Sequence, residues 1–126
     1  MPKGLRPITM LNVFEGAKLT VAGGVSTSVG FDLREIAQNG MFSLEYLITG
    51  DGTATISYTV CSTKGGTYFT PAGGGSIASG LTKTSGDGAG HGGLSFEPEM
   101  YPFIKIVVTE TGASQSVTAL LNLNVQ

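Results

Sequence analysis

The side chains that could act on another molecule are few and scattered. His91 is the only histidine, and Asp87 stands four residues before it. A Ser-His-Asp triad needs a fixed nucleophile and a rigidly held base. Gly90 and Gly92 flank His91, so it reads as a poorly held, solvated loop histidine. Glu97 and Glu99 share one side of an extended chain across Pro98, and Glu110 lies near another strand end. A carboxylate pair can act as general acid and base in glycoside hydrolysis. No cleft-forming pattern accompanies this pair, which reads as solvated residues ahead of a strand. Cys61 is the only cysteine. It permits neither an internal disulfide nor a thiolate metal site, and it reads as a small hydrophobe.

The glycine-rich motifs are equally poor in chemistry. Residues Gly88 to Gly93 match G-x-G-x-x-G, but that fingerprint works only between a strand and a helix N-terminus. No helix follows here, so no cofactor is expected. Gly50-Asp51-Gly52 and Gly86-Asp87-Gly88 each offer one aspartate, whereas calcium takes about six to eight oxygens. Turns explain both, and no metal is expected. Tyr68, Phe69 and Tyr101 are aromatic side chains beside loops, where they could stack on sugar rings or anchor the loops. Together with His91 they are the candidate contact residues. No catalytic residue is assigned.

Composition narrows the classes further. Charged residues make up 13% of the 126, with a net charge of −2, and the seven Lys and Arg are dispersed. Phosphate binding needs clustered basic residues, so nucleic acid is not an expected partner. No run approaches the ~18 apolar residues of a spanning helix, and the first residues lack the apolar core of a signal peptide. The expectation is a protein kept in, or assembled in, a cytoplasm, with no membrane partner. A surface poor in charge and rich in Thr, Ser, Asn and Gly tolerates burial against a neighbour.

The elements that must carry these residues are strands. Phe42, Leu44, Tyr46 and Ile48 alternate on one face; Ala54, Ile56, Tyr58 and Val60 do so after Gly50-Asp51-Gly52. This pattern predicts a hairpin. Ile104, Ile106 and Val108 alternate next. After a turn over Glu110 to Ser114, so do Val117, Ala119, Leu121, Leu123 and Val125, which predicts a second hairpin. Leu33 to Ala37 has the only helix-like composition, closed by an Asn39-Gly40 turn, and fits a short edge strand equally well. Ser62 to Gly93 reads as long glycine-rich loops around two short strands, Thr67 to Phe69 and Ser76 to Ala78. About eight short strands with turns at this spacing predict an all-β fold. The expected form is an antiparallel, jelly-roll-like β-sandwich in a single domain over 1–126, with residues 1–14 as an N-terminal arm. The last strand carries Leu120 on its polar face, which predicts a partly covered outer surface and a place inside the sheet or at an interface.

The second half also carries a cadence. Tyr58 to Ser62 is a strand, followed by Gly65-Gly66, the Tyr68-Phe69 pair and Thr70-Pro71. Pro102-Phe103-Ile104-Lys105-Ile106-Val107-Val108-Thr109 then leads through Gly112 to the final strand. This stretch, about 41–126, resembles small structural proteins of tailed bacteriophages and prophages. The resemblance implies a virion component, either a head decoration protein or a tail-associated one. It implies a β-rich homo-oligomer, often a trimer, bound to capsid or tail proteins, and it supplies no catalytic residues. The loop from Lys64 to Gly93 and the segment Met1 to Phe14 are the expected contact segments. The competing expectation is a carbohydrate-binding module with a glycan partner.

Overall fold

The computed structural model describes residues 7–13, 19–112 and 115–126. The strands are β1 (Thr9–Asn12), β2 (Leu19–Ala22), β3 (Val25–Thr27), β4 (Phe31–Asp32) and β5 (Phe42–Gly50). They continue as β6 (Ala54–Cys61), β7 (Ser76–Leu81), β8 (His91–Phe96), β9 (Phe103–Glu110) and β10 (Ser116–Val125). Of the expected N-terminal arm, residues 1–6 and 14 lie outside the described residues, as do Ala113 and Ser114 of the last turn. The rest of the arm is mostly β1, paired along β10 from Thr9 against Val125 to Asn12 against Asn122.

All pairings are antiparallel and fall into two sheets. The first runs β1-β10-β5-β8, with β2 on the same edge of β10 as β1. The second runs β3-β9-β6-β7, with β4 beside β3 on the edge of β9. Counting β1 with β2, and β3 with β4, as interrupted strands gives two four-stranded sheets, and the chain alternates between them at every step except β6 to β7. This is the jelly roll, a sandwich of two Greek keys. At the break between β3 and β4, buried Ser28 keeps the ladder whole. Its N–H donates to the Ile106 carbonyl at 2.8 Å, and its hydroxyl accepts the Ile106 N–H at 2.9 Å.

The alternations read from the sequence become the core. Inward residues of β5, β6, β9 and β10 are buried, and Ile48, Ala54, Ile56, Ile106, Val108, Val117, Ala119, Leu123 and Val125 are wholly inaccessible. The two hairpins, however, do not form. β5 pairs with β10 and β8, while β6 pairs with β9 and β7. Gly50-Asp51-Gly52 is therefore an arch that carries the chain across the ~10 Å between packed sheets. The turn after β9 does the same. A hairpin and an arch share one period-two pattern, because in both cases each strand buries one face. The arch differs in setting the two apolar faces opposite each other rather than side by side.

Contacts at the arch show why it takes this route. Gly50 has φ +93°, and Gly52 is buried. A β-carbon on Gly52 would lie 2.7 Å from Oε2 of Glu110 and 2.9 Å from the Ser116 carbonyl. Glu110 itself is 6% exposed. Its Oε2 accepts the N–H of Thr53 at 2.8 Å and that of Gly112 at 2.8 Å. Gly52 N–H donates to Ser116 O, and Thr111 N–H to Thr53 O, each at 2.9 Å. One carboxyl thus ties the β5–β6 arch to the β9–β10 arch.

Other expectations change in detail. Leu33 to Ala37 is a single turn, in which Ile36 and Ala37 both donate to the Leu33 carbonyl. The stretch from Ser62 to Gly93 holds β7 and the start of β8, so its glycine-rich end is partly strand. Thr67 to Phe69 contributes an isolated bridge, Phe69 against Val60.

Two substitutions test the arch. Gly52→Ala must displace Glu110 or Ser116 and is expected to cost roughly 1–3 kcal/mol. Glu110→Ala leaves the Thr53 and Gly112 N–H groups without their acceptor, at about 2–4 kcal/mol. Urea unfolding should show both as lower midpoints at unchanged slope. A wild-type midpoint in either variant contradicts the role given to this carboxyl.

Candidate functional site

The outer face of the first sheet collects most of the polar side chains that lie close together. Its rows follow from the register. Asn122 of β10 lies opposite Glu45 of β5, and Glu45 lies opposite Gly93 of β8. One row along, Leu120 faces Leu47, which faces His91. His91 is therefore diagonal to Glu45, within reach on the same face. Its Nε2 lies 2.8 Å from Oε2 of Glu45, and the Asn122 amide approaches Oε1 at 3.4 Å. Gly93 places no side chain beside Glu45, so the pair stays open toward β8. Glu45, Tyr46, Leu47, His91, Leu120 and Asn122 line a shallow depression of about 140 Å³.

His91 is not a loosely held loop residue. It is the first residue of β8, and the preceding loop is a closed turn. Oδ1 of Asp87 accepts the N–H of Ala89 at 2.8 Å and that of His91 at 3.3 Å. Asp87 N–H in turn donates to the His91 carbonyl, and Ile48 N–H reaches back to Gly90 O. The imidazole remains about half exposed. The Glu45 carboxylate raises the pKa of His91 above its ordinary 6.5. Hydrogen bonds from His91 and then Asn122 lower that of Glu45 below 4.5.

At the end of the same sheet lies a groove of about 420 Å³, bounded by Ile8, Met41, Ser43, Phe96, Asn124 and Gln126 among others. Three large apolar side chains stand exposed at this corner: Ile8 at 67%, Met41 at 61% and Met10 at 54%. Met10 faces Asn124 across the β1–β10 ladder, which faces Ser43, so this corner continues the polar face.

The four candidate contact residues do not form one site. Phe69 and Tyr101 meet edge to face, with centroids 5.3 Å apart at 88°. Phe69 is 44% exposed, while Tyr101 packs against the core. Tyr68, although next in sequence, belongs to the outer face of the second sheet. There the Lys105 ammonium sits 4.3 Å from its ring centroid, and burial raises its phenol pKa. One ring face of Tyr68 is thus occupied. His91 lies on the other sheet.

The remaining candidates have structural partners. Oε2 of Glu99 accepts the Gly73 N–H at 2.8 Å, and its own N–H donates to the Tyr58 hydroxyl at 2.9 Å. Glu97 instead borders the groove, so the two glutamates do different things. Asp51 is paired with Lys83 at 2.7 Å. Cys61 is buried, with its thiol donating to the Thr63 carbonyl at 3.1 Å. Among the described residues, no group of three or more His, Cys, Asp and Glu side chains is placed to hold a metal ion. Likewise no helix is long and apolar enough to cross a membrane.

Sequence reading missed Glu45 and Asn122. Both lie on the outward alternation of strands whose inward faces were read correctly. Their convergence with His91 depends on β5 lying between β10 and β8. Comparison with family models, curated proteins and solved structures finds no match for this chain.

The ion pair makes a definite pH prediction. The raised His91 pKa contributes stability that is full below 6.5 and is lost as pH rises through the raised value. The lowered Glu45 pKa contributes stability present above 4.5 and lost as pH falls through the lowered value. The pair is therefore fully formed between those limits. An NMR titration should place the His91 midpoint above 6.5, and Glu45→Gln should bring it down. An unmoved midpoint in the variant removes the coupling.

Proposed function

We propose that this chain is a non-enzymatic virion structural protein, a head decoration protein of a tailed phage or prophage. It acts by self-association and by attachment to a capsid or tail lattice. The observation that carries the reading is the outer face of the first sheet. Asn122, Asn124, Ser43, Ser95, Thr49 and Thr118 present short neutral polar groups there, and the charge of Glu45 is matched by His91. Ile8, Met10 and Met41 add apolar anchors at one corner. Burying such a face desolvates little unpaired charge, and apolar anchors beside a polar field resemble the makeup of a protein interface.

Two further facts support the class. The cadence through Pro102 to Gly112 resembles phage structural proteins, and jelly rolls recur in viral capsid domains. The occupant of the face is a second copy of the chain, with a trimer as the expected assembly. Each copy contributes a weak lattice contact, and repetition multiplies the contacts into avidity. The protein would assemble in the host cytoplasm and reside in the virion. The second reading, a glycan-binding module, is favoured by Phe69, whose exposed ring is held edge-on by Tyr101.

Light scattering after size exclusion should give one defined oligomer. Met10→Glu and Met41→Glu should each raise its dissociation constant about tenfold or more. A monomer at every concentration removes the assembly reading. If the monomer also captures glycans on an array, and Phe69→Ala abolishes that capture, the second reading replaces it.

A further inference from the structure

We propose that the free edge of β8 is a docking edge, onto which β8 of a second copy adds antiparallel about a two-fold axis at Leu94. This contact uses a sheet edge rather than the outer face, and it stands or falls separately from the assembly reading. It rests on how differently the sandwich treats its edges. β1 and β2 are separate four-residue pieces, β3 and β4 have three and two residues, and β7 twice shifts register against β6. Short pieces and bulges keep an edge from templating a neighbour. β8 has neither. Its register to β5 runs unbroken from His91 against Leu47 to Phe96 against Phe42, and it carries no Lys or Pro.

The ladder fixes which backbone groups face outward. Ile48 N–H donates to Gly90 O at 2.8 Å, and hydrogen-bonded pairs in an antiparallel ladder recur at every second residue. Gly92, Leu94 and Phe96 therefore turn their backbone groups to β5, while His91, Gly93 and Ser95 turn theirs away. The outward groups of His91 are taken by its own turn: its carbonyl accepts Asp87 N–H at 2.9 Å, and its N–H donates to Asp87 Oδ1 at 3.3 Å. Those of Gly93 and Ser95 have no partner among the described residues. Both residues are exposed, and for Gly93 the exposed surface is backbone.

A second β8 is the occupant because the edge is complementary to itself. Setting Gly93 opposite the second copy's Ser95, and Ser95 opposite its Gly93, uses both N–H groups and both carbonyls of each copy. The same register sets His91 opposite the second copy's Glu97 on the outer face. Glu97 is exposed and has no cation beside it among the described residues. His91, when protonated, then stands between its own Glu45 and that carboxylate. On the inner face Leu94 meets Leu94, and Phe96 lies opposite Gly92, whose lack of a side chain leaves room for the ring. Leu94 and Phe96 already pack against the core, so the contact extends the apolar layer.

Hydrogen exchange of the wild-type protein tests the edge directly. Between about 1 µM and about 1 mM, exchange of the Gly93 and Ser95 amides should slow about tenfold or more. Cross-linking tests the register. The Leu94 pair is a non-hydrogen-bonded one with Cα atoms about 4.5 Å apart, within disulfide reach, whereas the two Ser95 residues lie diagonally, about 7–8 Å apart and beyond it. Under a mild oxidant Leu94→Cys should therefore give about tenfold more covalent dimer than Ser95→Cys. Adding Ser95→Pro, which removes an outward N–H and no bond to β5, should abolish that dimer. Exchange at Gly93 and Ser95 that ignores concentration overturns the proposal, as does equal cross-linking of the two cysteine variants. Protection that vanishes in Met10→Glu belongs to the apolar corner and overturns it too.

Discussion

The carboxyl of Glu110 holds together two of the places where the chain changes sheet, the arches after β5 and after β9. The pairings of β5 with β10 and of β6 with β9 depend on those crossings. β5 can reach β10, and β6 can reach β9, only because the intervening residues leave one sheet and enter the other. Gly52 must lack a side chain for the arches to approach, and the carboxyl oxygen then fills the space with hydrogen bonds to Thr53 and Gly112. A buried acceptor serving backbone donors from two separate arches fixes them relative to each other. With the arches fixed, the registers of the two central ladders follow, since each runs outward from this end.

Those ladders decide the surface as well. Inward positions absorb the apolar residues, and outward ones receive Ser, Thr, Asn and the Glu45–His91 pair. The arrangement is a chemically quiet plane with one local ion pair and an apolar corner. Ion pairs of this exposure add little stability by themselves. Here the pairing matters for another reason: where His91 is protonated, it compensates the charge of Glu45 on this plane.

Much of this was legible before any coordinates. The alternations in β5, β6, β9 and β10 named the core correctly, because a period of two admits only one burial pattern. Leu120 was rightly placed on an outer face, in a strand that the structure sets inside the sheet. Strand partners were not legible. Gly50-Asp51-Gly52 looked like a hairpin turn, and nothing local separates a turn within one sheet from an arch between two. The distinction lies with Glu110 and Ser116, some sixty residues away. His91 was misread for a related reason. Glycines on both sides suggested slack, yet the slack is removed by Asp87 and by the ladder to β5. Phe69 and Tyr101 meet edge to face, while Tyr68 packs against Lys105 instead, since adjacent residues beside a bridge face opposite ways.

The pairing of β10 with both β1 and β5 has a consequence for how the protein is made. A ribosome delivers β1, β2, β5 and β8 before the strand that joins β1 and β2 to β5 exists. Until residues 116–125 emerge, the first sheet lacks one of its two interior strands, and one edge of β5 has no ladder partner. Productive folding must therefore wait for the completed strand and then close contacts between distant parts of the chain, a slow kind of search. In that interval the nascent chain displays unpaired strand edges, the condition under which chains stick to one another or recruit chaperones.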